Sequence, residues 1–303
     1  MVFPTGEQYE IKAGGCSAVI TEVGARLRSF TIDGTEILAT HGPDQAPKGW
    51  EGAHLLPWPN RLRDGRYHLG GQEFQLPINE PARNNANHGL NVGLAWECLA
   101  HLGTSVRQRC VLWPRRGWPG ILAVEILHQL EAQGLRVEVT ATNIGTMPIP
   151  WGYGAHPYFR FEDISGVELT VPFDAELAVD PERLLPIRLG PVAPAHDFIR
   201  ARTIGETVLD ATFTDPLTRD WTVTLSGDGR TIEVWGEATT QWVQVFTAPH
   251  RDSVAVEPMT CGPDAFNEGP TYRDRIMLRP GESAHATWGI RAALRSVSQF
   301  GGA

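Results

Sequence analysis

Apolar and polar residues alternate with period two along much of the chain. Leu135-Arg136-Val137-Glu138-Val139-Thr140-Ala141-Thr142 swaps strictly, the pattern of a strand with one buried and one wet face. Residues 124–130 precede it as a second strand, and a short turn containing Gly134 is expected to join the two. Trp221-Thr222-Val223-Thr224-Leu225 alternates in the same way; Ser226-Gly227-Asp228-Gly229 then turns the chain into residues 231–235. Asp64-Gly65 and Gly70-Gly71 bracket Arg66-Tyr67-His68-Leu69, and both are two-residue hairpin signals. No segment keeps helical periodicity for three turns, and 32 glycines with 23 prolines interrupt the chain too often for long helices.

Turn signals at short, fairly regular intervals predict stacked antiparallel sheets rather than alternating βαβ units. No linker, charge block or internal repeat divides the 303 residues, so one large all-β domain over residues 1–303 is expected. Residues 181–194 are proline-rich but contain Leu184, Leu185, Ile187 and Leu189, and read as an ordered surface loop.

Composition narrows the function classes. With 42% hydrophobic residues the chain is too apolar to be disordered. The balance of 26 basic against 35 acidic residues, a net charge of −9, argues against nucleic acid as the main partner. No apolar run is long enough to span a bilayer, and the first residues lack a basic segment followed by an apolar one. Cys16, Cys98, Cys110 and Cys261 are scattered, and no histidine pair has zinc spacing. A cytoplasmic protein with reduced cysteines and no structural metal is expected, acting as a monomer or homodimer.

Four segments are richer in unusual residues than a β scaffold needs. In Leu56-Pro57-Trp58-Pro59-Asn60-Arg61-Leu62-Arg63 two prolines stiffen the approach to Asn60 and Arg61. That suits a rigid platform presenting an amide and a guanidinium, and equally a proline-rich corner with solvated arginines. Asn84-Asn85-Ala86-Asn87-His88-Gly89-Leu90 reads as a loop, with His88 either a donor to a ligand or a brace for the backbone. In Trp151-Gly152-Tyr153-Gly154-Ala155-His156-Pro157-Tyr158-Phe159-Arg160-Phe161, alternation puts Phe159 and Phe161 on one face. His156, Tyr158 and Arg160 take the other, as a ligand-facing surface or as the polar side of an edge strand. In Ser253-Val254-Ala255-Val256-Glu257-Pro258 the valines face one way, and Glu257 faces the other between small neighbours. Pro258 is expected to end that strand. One histidine acid, one carboxylate base and several hydrogen-bond donors suit proton transfer without a cofactor.

At these residues the chain resembles the aldose 1-epimerase (galactose mutarotase) family. The resemblance runs in order through Gly24-Ala25-Arg26-Leu27, Pro59-Asn60-Arg61, Asn87-His88-Gly89, Gly154-Ala155-His156-Pro157-Tyr158-Phe159, Leu209-Asp210 and Val256-Glu257-Pro258. It closes with Pro263-Asp264-Ala265-Phe266-Asn267 and Leu278-Arg279-Pro280-Gly281-Glu282. It implies a galactose-mutarotase-like β-sandwich that interconverts the α and β anomers of a free sugar, with no coenzyme. By motif position Glu257 resembles the general base and His156 the general acid. His88, Arg61, Asp210 and the neighbouring Asn60 resemble the residues that hold the monosaccharide. Leu56-Pro57-Trp58-Pro59 and Glu257-Pro258-Met259-Thr260-Cys261 look more like a bacterial branch that includes sulfoquinovose mutarotase-like proteins. An anionic sugar, sulfoquinovose or a hexose 6-phosphate, is therefore an alternative substrate, with Arg61, Arg63 or Arg160 to receive the charge. Two rival readings stay open: a silent sugar-binding or regulatory module on the same fold, and a glycoside hydrolase using Asp210 and Glu257. Trp58, Trp151 and Phe159 are candidate aromatics for the apolar face of a pyranose.

Overall fold

Strands dominate the computed structural model, which describes residues 2–294. The helical segments among them are four single 3₁₀ turns. Nine strands form one antiparallel sheet, running in order from Glu97–His101 through Ser105–Leu112, Leu122–Glu131, Gly134–Asn143, Ser283–Leu294, Arg230–Gly236, Trp221–Gly227 and Glu168–Thr170 to Arg202–Thr203. A second antiparallel sheet of eight strands has Asp210–Pro216, Trp242–Thr247 and Ser253–Met259 near its centre. Gly154–His156 and Ala53–Leu55 continue it, while Tyr158–Arg160 pairs separately with Ser253–Met259. Four short N-terminal strands make a further sheet.

The period-two pattern decides which faces meet. Val137, Val139 and Ile126 of the nine-stranded sheet share one apolar core with Val243, Val245, Val254, Val256 and Ala211 of the eight-stranded sheet. Each valine or isoleucine contributes about 1.5–3 kcal/mol when fully buried. The residues between them, Asp210, Thr212, Gln244 and Glu257, are therefore forced to the opposite face of the eight-stranded sheet.

Local turns follow their glycines. Asp64-Gly65, Gly70-Gly71 and Asp228-Gly229 have positive φ at both positions, the geometry of two-residue hairpin turns. Four expectations change in detail. Gly134 does not sit in the turn but opens strand Gly134–Asn143, where a Cβ would stand 2.1 Å from the Ile290 carbonyl oxygen. The proline-rich loop contains strand Pro186–Pro191 at the sheet edge, where missing N–H groups cost no ladder bonds. Asn85–Asn87 is a short strand paired with Arg61–Arg63, because its asparagines find local partners: Asn85 donates to Glu80 and to the Arg183 carbonyl. Pro258 lies within strand Ser253–Met259 rather than after it.

That last difference shapes the molecule. Strand Ser253–Met259 pairs with Tyr158–Arg160 through Ser253, Val254 and Ala255, and then with Gly154 through Met259. Between those contacts the ladder is interrupted, with Pro157 on one strand and Pro258 on the other, neither able to donate a backbone hydrogen bond. Glu257 and His156 face each other at this opening.

A polar chain crosses the apolar interior below it. Trp288 Nε1 donates to the Tyr153 hydroxyl (2.8 Å), which lies 2.8 Å from His54 Nδ1; His54 Nε2 is 3.1 Å from His128 Nε2. His54 belongs to the eight-stranded sheet, and His128 and Trp288 to the nine-stranded one. Burial pushes the His54 pKa down to about 3 and that of His128 well below its ordinary value. Both rings are thus neutral when folded and protonate on unfolding once the pH drops below about 6.5. Their contribution is fully present above that value and is lost as pH falls toward the folded pKa. Unfolding free energy from urea titrations is expected to decline between about pH 6.5 and 4.5. In His54→Gln the slope should be shallower by up to about 1.4 kcal/mol per pH unit. Equal slopes in both proteins would contradict a neutral buried His54.

Candidate active site

A cavity of about 200 Å³ opens on the polar face of the eight-stranded sheet. All six residues singled out in the sequence line it: Asn60, Arg61, His88, His156, Asp210 and Glu257. They arrive from separate stretches of chain, so the fold performs the assembly.

Glu257 and His156 form its floor. Glu257 Oε1 lies 3.2 Å from His156 Nε2, with both side chains almost wholly removed from solvent. Glu257 Oε2 and His156 Nδ1 are buried without a hydrogen-bond partner. Burial drives the two pKa values toward the neutral forms. It holds Glu257 well above 4.5, helped by the Asp210 charge and opposed by Arg61. It lowers His156 to about 3, opposed by a backbone hydrogen bond and helped by the Arg26 charge. Burial thus disfavours a lone charge on either group, and the two titrate as a coupled pair rather than independently.

His88 occupies the left-handed region with φ of 60° and is followed by Gly89, where a Cβ would meet the Leu56 backbone. The Asn60 backbone N–H donates to His88 Nδ1 at 3.2 Å. Nδ1 is thereby the acceptor and Nε2 carries the proton of the neutral ring. Burial, reinforced by His156 and Arg61, keeps the His88 pKa well below its ordinary value. The bracing role is seen, through Nδ1, and the Nε2 donor is left to the cavity that His88 lines.

Asn60 also has positive φ, and its Oδ1 accepts from the Arg61 backbone N–H at 2.9 Å. The Arg61 guanidinium meets the Glu80 carboxylate through Nε (3.0 and 3.2 Å) and Nη2 (3.1 Å). Burial raises the Glu80 pKa, but Arg61, Asn85 and Arg83 outweigh it and hold the carboxylate below its usual range. Arg63 and Arg160 do not line the cavity: Arg63 pairs with Asp264 at 2.7 Å and Arg160 with Glu36 at 3.2 Å.

Gln244 is a residue the sequence analysis missed. It lies directly opposite Glu257 on the neighbouring strand, and opposite Thr212 on the other side. Thr212 donates its hydroxyl proton to Gln244 Oε1, and the Gln244 amide donates to Asp210 Oδ1. A glutamine between Val243 and Val245 was the available signal, but only the cross-strand register puts it beside Glu257. The candidate aromatics are also corrected. Trp58, Trp151 and Phe159 are buried in the core, whereas Trp50, Tyr158 and Phe246 line the cavity. The Tyr158 ring stacks on His156 with centroids 4.8 Å apart.

Comparisons with known proteins bear on the family and the fold. A sequence profile of the aldose 1-epimerase family matches residues 7–291. An uncharacterised Escherichia coli K12 protein, YihR, is 35% identical over 285 residues, covering 92% of this chain and 91% of its own. Galactose mutarotase from Rattus norvegicus is 30% identical over 268 residues, 76% of this chain and 75% of its own. Among solved structures, galactose 1-epimerase from Lactobacillus acidophilus superposes with a TM-score of 0.81 at 19% identity, covering 97% of both chains. A galactose mutarotase-like protein from Clostridium acetobutylicum gives 0.83 at 17% identity, covering 94% of both. At such identities the two structures speak for the fold, the galactose-mutarotase-like β architecture. The near full-length profile match, with the two sequence relatives beside it, places this chain in the aldose 1-epimerase family.

Proposed function

We propose that this protein is an aldose 1-epimerase that interconverts the α and β anomers of a free aldohexose. Glu257 takes the proton of the anomeric hydroxyl while His156 gives its proton to the ring oxygen. The bond between C1 and the ring oxygen breaks, and C1 becomes the aldehyde carbon. Rotation about the C1–C2 bond presents the other face, and closure returns each proton to the group that gave it. Atoms and charge balance without any further reactant.

The observation that carries this reading is the buried Glu257 carboxyl 3.2 Å from the buried His156 imidazole, both lining the cavity. Ring opening turns a carboxylate and an imidazolium into a carboxylic acid and an imidazole. Burial favours that neutral pair, so it makes Glu257 a stronger base and His156 a stronger acid at once. His88 Nε2–H, Arg61, Asn60, Asp210 and Gln244 supply donors and acceptors for the hydroxyls and for the ring oxygen as it gains charge. Acid–base groups of this kind are each worth on the order of 10²–10⁴ in rate. The cavity of about 200 Å³ suits one monosaccharide ring.

Anomer exchange followed by NMR or polarimetry across glucose, galactose, sulfoquinovose and a hexose 6-phosphate tests the reading. Glu257→Gln and His156→Asn should each lower kcat/KM by about 10²-fold or more while leaving the thermal midpoint near wild type. Wild-type exchange rates in both variants would remove the assigned roles.

The pH profile provides a separate check. The active pair has one proton, so activity should be flat through weakly acidic pH and fall on the alkaline side as that proton is lost. The limb should lie well above 4.5, where an ordinary glutamate ionises, because Glu257 is shifted upward. A rate that instead rises through pH 4.5 as a normal carboxylate ionises would contradict proton sharing.

A further inference from the structure

The loop over residues 49–52 is held by more interactions than a surface connection needs. Arg26 is only 2% exposed, and its Nη1 donates to the carbonyls of Gly49 (3.3 Å) and Glu51 (2.9 Å). Nη2 is buried with no partner. A buried cation directed at two carbonyls is costly unless their position matters. On the other side of the loop, Gly52 N–H donates to the His156 carbonyl at 2.9 Å, and Leu27 N–H donates to the Gly52 carbonyl at 3.0 Å. Gly52 has φ of +62°, and a Cβ there would stand 2.0 Å from the Leu27 carbonyl oxygen, so glycine alone fits. The residue bracketed by these contacts is Trp50. Its half-buried ring lines the cavity and lies 4.7 Å, centroid to centroid, from His88.

We propose that Trp50 is a specificity-determining wall of the site, against which the C–H face of a pyranose rests, and that Arg26 is the positioning residue that holds it there. This inference rests on the sugar-site reading above. An indole presents a flat apolar face with little conformational freedom to lose, which suits the axial hydrogens of a sugar ring. The wall contacts substrate and transition state alike, so it acts on KM rather than on kcat.

The test measures anomer-exchange kinetics and sugar-dependent tryptophan fluorescence for wild type, Trp50→Phe, Trp50→Ala and Arg26→Lys. Trp50→Ala should raise KM about tenfold with kcat within about threefold of wild type, and Trp50→Phe should restore KM. Arg26→Lys keeps the charge on a shorter side chain, whose ammonium falls short of the place Nη1 holds between the two carbonyls. It should raise KM at unchanged kcat and speed hydrogen exchange at residues 49–52. Wild-type KM in Trp50→Ala overturns the wall, and wild-type KM and exchange in Arg26→Lys overturn the bracket. Trp50→Ala carries the test if Arg26→Lys fails to fold. If wild type exchanges no sugar, the epimerase reading fails by itself. The wall then stands on a sugar-induced fluorescence change present in wild type and lost in Trp50→Phe, and falls if no such change occurs.

Discussion

A carboxyl and an imidazole buried against each other, 3.2 Å apart, are the constraint around which the cavity is arranged. Neither Glu257 nor His156 can take up a charge alone in that setting at modest cost. Together they have one neutral form and one ion-paired form, which differ only in where the proton sits. On the proposed reading, a sugar bridging the two groups would give the proton a path from one form to the other through its own hydroxyl and ring oxygen. The low polarity that favours the neutral pair is the same property that, on that reading, would strengthen both partners when a substrate intervenes. The cost is that the ion-paired form is the minor one, and the donors around the cavity are what offset it when a sugar is bound.

Holding two such side chains face to face requires a sheet that is continuous elsewhere and open at one place. Val254 and Val256 anchor their strand in the core, and Val243 and Val245 do so next door. Neither strand can slip by one residue without exposing its valines. Pro157 and Pro258 remove the ladder bonds only where the acid and base stand. Rigidity on the apolar face and interruption on the polar face come from the same few residues.

This division explains what was legible in the chain. Period-two runs and the Asp-Gly and Gly-Gly turns depend on near neighbours, so strands such as Gly134–Asn143 and Trp221–Gly227 could be read directly. His156, Glu257, His88, Asn60, Arg61 and Asp210 lie in segments whose residues are distinctive in themselves. Gln244 and Trp50 do not. Gln244 becomes part of the site only through the register Gln244↔Glu257, and Trp50 only through the clamp on its loop. The proline-rich segments misled for a related reason. Proline signals a lost donor, but whether that ends a strand, marks an edge or opens a ladder depends on what lies alongside.

On the epimerase reading proposed above, the charges around the cavity bear on which sugars it would accept. Asp210 is a carboxylate, burial favours the neutral acid of Glu257, and Arg61 is the one arginine among the lining residues, with Nε and Nη2 already turned to Glu80. Arg63 and Arg160, the other arginines close in sequence to the motifs, have carboxylate partners outside it. A sulfonate or phosphate entering this space would lose water and approach the Asp210 carboxylate, with one guanidinium already shared to compensate. Hydroxyl groups exchange water for the amides of Asn60 and Gln244 and for the Asp210 carboxylate at much lower cost. The balance favours a neutral aldose. A second strong cation beside Glu257, as an anionic substrate would require, would oppose the burial that raises its pKa and would weaken it as a base.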